Sequence, residues 1–250
     1  MRPGTAEWWS RRRDAPGPPR RPRADGLTLE RILDAALDLV DREGLDALTM
    51  RRLAAELGCG HTSLYRHVDS HDEVVVLLVD RVLGEIHLPA VGPDGATPRE
   101  RAEVALRAYR RTLLAHPELT PAFLRGQLLG PNALRRREEA LTLLREVGVA
   151  PALAALAFLS LTHFVIASAV FESSGASRTD SERSAMARYF VDLPDREFPL
   201  LRSMASELNA IDADAEFELG LAALLDRLES EVPVAPIEAS GRTSLSGVRR

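Results

Sequence analysis

The stretch Thr49-Met-Arg-Arg-Leu-Ala-Ala-Glu-Leu-Gly-Cys-Gly-His-Thr-Ser-Leu-Tyr-Arg-His-Val68 decides the fold of the N-terminal part of the chain. Thr49 is a good helix N-cap, and the apolar residues after it recur at helical spacing as far as Leu57. Gly58-Cys59-Gly60 predicts a tight turn, and a second short helix follows over about 61–67. Two short helices joined in this way form a helix-turn-helix, whose second helix can enter the major groove of DNA.

The side chains that this unit turns outward suit contacts with DNA, because hydroxyl, imidazole and guanidinium groups bond base edges and phosphates. The N-terminus of the first helix also offers free N–H groups to a phosphate. The predicted DNA-binding residues are Thr49, Arg51, Arg52, Gly60, His61, Thr62, Ser63, Tyr65, Arg66 and His67. The alternative is an ordinary pair of surface helices, since acids outnumber bases over 28–72. For DNA binding, the basic side chains would have to lie on one face of the domain, together with those of the Arg-rich N-terminus.

Helical patterns continue along the rest of the chain, and no segment shows the alternation of a strand. Thr28 opens an amphipathic helix that ends near Gly44, and Ser70 with Glu73 predicts a capping box at the start of another helix. Further helices are expected at about 98–115, 118–126, 131–147, 151–173, 181–190, 197–209 and 213–230. We therefore predict an all-α fold, with a three-helix helix-turn-helix domain and a larger helical domain.

The composition suggests where the domains begin and end. We expect disordered tails at both ends, an Arg- and Pro-rich one over 1–26 and another over 232–250. Between them we expect a helix-turn-helix domain over 27–72 and a helical ligand-binding and dimerisation domain over 88–231. Helix 70–87 links the two domains. The N-terminal arginines could contact phosphates or a minor groove, or they could simply be solvated. The run Arg135-Arg136-Arg137-Glu138-Glu139 is most simply a solvated helix face.

Several classes of protein are disfavoured by the sequence. Cys59 is the only cysteine and no apolar signal peptide is visible at the N-terminus, so we expect a cytoplasmic protein. The net charge of −5 by itself argues mildly against binding to nucleic acid, although the distribution of charge matters more than the sum. The apolar run from Ala152 to Phe171 contains small and polar residues, which favours a packed helix over a membrane span. No P-loop, HExxH, GxSxG or Cys-pair motif occurs, so we expect no enzyme and no cofactor.

Residues 28–75 resemble the DNA-binding domain of the tetracycline-repressor (TetR) family. The resemblance lies in Thr28-Leu-Glu-Arg-Ile-Leu-Asp-Ala-Ala through Gly44, in Leu48-Thr-Met-Arg-Arg-Leu-Ala-Ala-Glu-Leu-Gly, and in Ser63-Leu-Tyr-Arg-His-Val. It implies a ligand-responsive regulator, most simply a repressor that leaves a palindromic operator on double-stranded DNA when a small molecule binds. A catalytic protein and a helical adaptor that binds other proteins are the alternatives.

The same resemblance implies individual roles in DNA binding. Arg51 corresponds to a residue that reads a base, residues 61–63 to further base contacts, and Tyr65 and His67 to phosphate contacts. Two positions depart from the family pattern: His71 stands where a lysine is frequent, and Arg66 stands where an aromatic residue is frequent.

The C-terminal part resembles tetracycline repressors less closely, through His116-Pro-Glu-Leu, Phe164 to Glu172, and Phe217-Glu-Leu-Gly-Leu-Ala-Ala-Leu-Leu-Asp-Arg-Leu-Glu. The ligand-binding residues that we expect are His87, Tyr109, His116, Phe123, His163 and Glu172. For each histidine the alternative is a hydrogen bond within the core. Phe123 takes the place of a metal-ligating histidine, so we expect an effector that is more apolar than a magnesium chelate.

Two helices, 151–173 and 213–230, are apolar on more than one face. Such helices are either buried or form an interface. We expect them to pair with their copies as a four-helix bundle in a homodimer, which palindromic half-sites also require. The alternative is a monomer in which these helices form the core.

Overall fold

The computed structural model describes residues 1–14, 27–86, 95–126, 128–175, 179–210 and 212–230, and every regular element within these ranges is helical. The prediction of an all-α fold is therefore confirmed. The α-helices are α1 (Ala6–Asp14), α2 (Leu29–Glu43), α3 (Met50–Glu56), α4 (His61–Leu64), α5 (His71–Gly84), α6 (Pro98–Ala115), α7 (Pro131–Glu146), α8 (Pro151–Gly175), α9 (Asp180–Val191), α10 (Pro199–Ser203), α11 (Ala205–Asn209) and α12 (Ala213–Ser230). Short 3-10 helices lie at Leu45–Ala47 and Thr120–Leu124.

Helices α2, α3 and α4 form the helix-turn-helix domain. Thr28 caps α2, its Oγ1 accepting from the N–H of Arg31, and Gly44 ends the helix with a φ of 87°. The inner face of α2 is fully buried at Ile32 and Val40. This local capping explains why the boundaries of α2 could be predicted from the sequence.

The N-terminus differs from the prediction of a disordered tail over 1–26, because residues Ala6–Asp14 form α1. Trp8 and Trp9 pack against the main core, and Arg12 Nη1 lies 2.5 Å from Glu73 Oε1 on α5. Burial of two indole rings supplies apolar contact that the surrounding Arg-rich sequence lacks. Residues 15–26 and the expected C-terminal tail at 232–250 lie outside the described residues.

Helix α5 leaves the helix-turn-helix domain and packs against α2, α6 and α7. At its far half, the Asp80 carboxylate accepts from the backbone N–H groups of Asn132 (3.3 Å) and Ala133 (3.0 Å), so it caps the N-terminus of α7. Burial raises the pKa of Asp80 and outweighs the effect of these hydrogen bonds. A Cβ at Gly130 would lie 2.2 Å from Asp80 Cγ, which is why glycine precedes α7.

Helix α8 is the centre of the C-terminal domain and packs against α6, α7 and α12. By length and composition, α8 is apolar enough to cross a membrane, and 33% of its apolar window is buried inside this protein. Helices α9, α10 and α11 pack mainly on one another. The C-terminal end of α5 is thus packed against helices of the C-terminal domain, namely α6 and α7.

Candidate DNA-binding surface and ligand cavity

The turn between α3 and α4 has a Schellman geometry. The Cys59 N–H donates to the Ala54 carbonyl (3.0 Å) and the Gly58 N–H to the Ala55 carbonyl (3.1 Å). Gly58 has a φ of 62°, the left-handed conformation that this motif needs and that glycine adopts without strain. The turn therefore fixes the direction in which α4 leaves α3.

One side of α4 is anchored in the core and the other faces solvent. Leu64 and Val68 are buried, whereas His61, Thr62 and Arg66 are exposed. The exposed fraction of Tyr65 is 46%, and its ring stacks on that of His61 with centroids 6.4 Å apart. The helix thus presents hydroxyl, imidazole, phenol and guanidinium groups to the surroundings.

The other residues predicted to bind DNA flank this face. Gly60 is exposed, and Ser63 and His67 are half-buried. Thr49 Oγ1 accepts from the N–H of Arg52 and so caps α3, whose N-terminal end carries a partial positive charge.

The two arginines of α3 differ in their partners. Arg52 Nη2 lies 2.7 Å from Glu43 Oε1 and 3.8 Å from Glu56 Oε2, so its charge is already paired. The Arg51 side chain is exposed and forms no ion pair among the residues that the structure describes. Arg51 is therefore the α3 side chain that is free to meet a base or a phosphate.

Helix α5 is tied to the end of the recognition segment. Ser70 Oγ accepts from the Glu73 N–H, which is one half of the predicted capping box. The buried Glu73 carboxylate accepts instead from the Asp69 N–H (2.6 Å) and pairs with Arg12. The first turn of α5 is thus hydrogen-bonded to the residue that directly follows the α4 segment.

A cavity of about 750 Å³ lies in the C-terminal domain between α6, α7, α8 and the end of α5. Its size is that of a site for a small organic molecule. Its walls are largely apolar and aromatic, including Tyr109, Phe123 and Phe158. Burial raises the pKa of the Tyr109 phenol, which keeps the group protonated.

Three of the residues predicted to bind ligand line this cavity: Tyr109, Phe123 and His163. Two others do not. The His116 imidazole lies 2.9 Å from Asp41 Oδ2 and 2.9 Å from Glu85 Oε2, and Glu172 pairs with Arg110.

These two side chains do not line the cavity, because each pairs with a charged partner that is distant in sequence. The sixth residue, His87, lies outside the described residues.

The sequence analysis missed two basic side chains on the cavity wall. Arg135 and Glu138 are exposed, as a solvated face requires, but Arg136 and Arg137 are half-buried and line the cavity. The buried Nε atoms of both have no hydrogen-bond partner among the described residues. Arg137 also stacks over the Phe158 ring at 5.3 Å. Three consecutive arginines gave no signal of which would turn inward.

Metal ligands do not gather in the described parts of the chain, where no group of three or more His, Cys, Asp or Glu side chains is placed to hold an ion. Phe123 is itself buried. The charged groups that line the cavity are Arg136 and Arg137 together with the Glu139 carboxylate, whose Oε2 lies 2.9 Å from Arg136 Nη1.

Two family models cover most of the chain. "Bacterial regulatory proteins, tetR family" matches residues 32–77, and "Tetracyclin repressor-like, C-terminal domain" matches residues 91–232. The chain belongs to the TetR family. It is a ligand-responsive, DNA-binding transcriptional regulator.

Relatives of this TetR protein share both domains. The HTH-type transcriptional repressor DrrR1 of Streptomyces coeruleorubidus is 33% identical over 89% of this chain and 83% of its own. The class A tetracycline repressor from transposon 1721 of Escherichia coli is 27% identical over 79% of this chain and 88% of its own. These relatives are transcriptional regulators.

Solved structures agree with the fold of this TetR protein. ActR of Streptomyces coelicolor in complex with actinorhodin is 38% identical, with a TM-score of 0.75 over 82% of this chain and 97% of ActR. ActR in complex with (S)-DNPA has a TM-score of 0.74 at 38% identity, over 83% of this chain and 99% of ActR.

Proposed function

We propose that this TetR protein is a cytoplasmic repressor that binds a palindromic operator as a homodimer and leaves it when an aromatic small molecule fills the 750 Å³ cavity. The observation that carries the proposal is the exposed face of α4, with Thr62, Tyr65 and Arg66 turned away from a fully buried Leu64. A helix presented in this way fits the major groove.

Individual contacts with DNA are assigned from which side chains have no ion-pair partner in the described parts of the protein. Arg51 has no partner among the described residues and is assigned to a base edge, whereas Arg52, held by Glu43 and Glu56, is assigned to a phosphate. His61, Thr62 and Ser63 are assigned to bases, and Tyr65, Arg66 and His67 to further base or phosphate contacts. Thr49 and Gly60, at the starts of α3 and α4, are assigned to the phosphate backbone.

Homodimer formation is supported by apolar side chains that the protomer leaves in water. Leu156 and Phe171 on α8 are 64% and 79% exposed, and Leu219 on α12 is 75% exposed. The cost of exposing such large apolar surfaces is avoided when α8 and α12 pack against their copies. Two α4 helices related by a two-fold axis would then face successive major grooves.

Ligand control is assigned to α5, because its two ends lie in the two functional regions. Its first turn holds Glu73 next to the recognition segment, while Leu83 and Ile86 at its end line the cavity. A ligand that favours one position of α5 would shift the dimer between two spacings of α4. Typical coupling between such sites is about 1–3 kcal/mol.

The effector class is inferred from the cavity walls and from relatives. Tyr109, Phe123 and Phe158 suit aromatic rings, and Arg137 suits an acidic or carbonyl oxygen, whereas Arg136 is already paired with Glu139. ActR has been solved with actinorhodin and with (S)-DNPA, so these two compounds are the first to test for release of DNA.

The DNA-binding roles are tested by measuring affinity for the promoter region beside the gene. Arg51→Ala should lose about 1–3 kcal/mol, concentrated at one base pair of each half-site. Arg111→Ala is the matched control, because Arg111 is exposed on α6 and its removal changes the net charge equally. Uniform weakening on all sequences, or the same loss in both variants, would contradict the assignment of Arg51 to a base.

A further inference from the structure

A second cleft, of about 580 Å³, lies between the N-terminal segment and α5. Gly4 and Trp9 belong to its outer wall, and Val76 and Val79 of α5 belong to its inner wall. The cleft therefore lies between α5 and the N-terminal residues 2–5 and Trp9. None of the functions assigned above uses it.

The cleft and the ligand cavity adjoin each other and share part of their walls. The residues that line both are Leu83, Leu124, Gly126, Leu128, Leu129 and Ala133. Three of these, Gly126, Leu128 and Leu129, belong to the segment between the 3-10 helix Thr120–Leu124 and α7. A single molecule that is longer than the main cavity and extends past this segment would reach Trp9.

The cleft has the chemistry of an aromatic site. The Trp9 indole is half-buried at the cleft wall, and its buried Nε1–H donates to no atom of the described residues. A buried donor without a partner costs about 1–3 kcal/mol, which an acceptor oxygen on a ligand would recover. Arg2 and Arg125 at the cleft add positive charge, while the Asp80 carboxylate is occupied by the backbone of α7.

We propose that the effector is an elongated, two-part aromatic molecule that occupies both compartments. Its first part lies in the main cavity near Tyr109, and its second part, which carries a hydrogen-bond-accepting oxygen, stacks on Trp9 and accepts from Nε1. This inference rests on the proposed function, since it extends the effector site of the same regulator.

The test compares anilinonaphthalene sulfonate, a single aromatic anion, with its doubled form, bis-anilinonaphthalene sulfonate, on the full-length protein. The doubled probe should bind about tenfold or more tightly than the single probe, because its second half reaches the cleft at high effective concentration. Trp9→Ala should remove that advantage and leave the affinity for the single probe unchanged. Trp9→Phe, which keeps a ring but loses the donor, should show an intermediate affinity.

Two variants serve as controls. Trp8→Ala removes a neighbouring indole that lines neither space, and it should keep the advantage of the doubled probe. Ala140→Trp fills the main cavity and should weaken both probes. Promoter binding by each variant in the absence of probe reports whether the protein is folded.

The outcomes separate this inference from the proposed function. Equal affinity of wild-type protein and Trp9→Ala for the doubled probe, with both probes weakened by Ala140→Trp, overturns the two-part site and leaves the main cavity intact. If Ala140→Trp affects neither probe, or if wild-type protein binds neither, the assignment of the main cavity as the effector site is refuted, and the extended site is refuted as well.

Discussion

Replacing His116 with leucine should weaken the link between the two domains in a pH-dependent manner. His116, at the end of α6, bridges Asp41 on α2 and Glu85 at the end of α5, each at 2.9 Å. Its side chain is only 13% exposed, so the bridge is largely shielded, although the exposed fractions of the two carboxylates are 31% and 38%.

The size of the effect follows from these contacts. A hydrogen bond to a charged group contributes about 1.5–3 kcal/mol when it is well buried. Because both carboxylates can regain water when the imidazole is lost, we expect the loss in free energy of unfolding to equal that of one such hydrogen bond and not of two. His116→Leu should therefore lower the free energy of unfolding by about 1.5–3 kcal/mol under acidic conditions.

The pH dependence gives the sharper test. Burial lowers the pKa of His116, but the hydrogen bonds and charges of Glu85 and Asp41 outweigh it and raise the pKa above its ordinary value. A raised histidine pKa contributes stability that is fully present below the unfolded value of about 6.5 and is lost as the pH rises through the folded pKa. The difference between wild-type protein and His116→Leu should thus be larger at about pH 6 than at about pH 9.

The assay is urea unfolding followed by far-ultraviolet circular dichroism at one fixed protein concentration, since dimer formation makes the midpoint depend on concentration. His163→Leu is the control, because His163 is exposed and has no ion pair among the described residues. A destabilisation by His116→Leu that is the same at both pH values would refute the charged bridge.

Two further substitutions test contacts that hold α5 in place. Arg12→Ala should destabilise the protein by about 1–2 kcal/mol, because it removes the cation beside the buried Glu73 carboxylate; unchanged urea unfolding would show that α1 is not docked. Gly130→Ala should lower the thermal midpoint by the equivalent of about 1–3 kcal/mol, because its Cβ would overlap Asp80. Gly126→Ala, where a Cβ meets no atom within 4 Å, should change little, and equal shifts in the two glycine variants would contradict the overlap.

The parts of the fold that were predictable from the sequence are those set by neighbouring residues. Thr28, Thr49 and Ser70 each cap the helix that follows them, so the starts of α2, α3 and α5 could be predicted. The outward face of α4 could also be predicted, because burial of Leu64 at helical spacing leaves only one side for solvent.

The parts that were missed depend on tertiary contacts. Asp41 lies 75 positions before His116, so no local pattern reports their pairing. Arg135 and Arg136 have the same chemistry, and only the packing of α7 against its neighbours turns one outward and the other to the cavity. Trp9 was overlooked because its Arg- and Pro-rich surroundings suggested disorder, although an indole pair is itself a signal for docking.

The placement of the two tryptophans, Trp8 and Trp9, has a practical consequence, since the chain contains no others. Intrinsic tryptophan emission from this protein reports on the docking of α1 and only indirectly on the recognition helix. When α1 detaches before the rest unfolds, the emission curve will precede the circular dichroism curve, and their separation measures the local stability of the N-terminal helix.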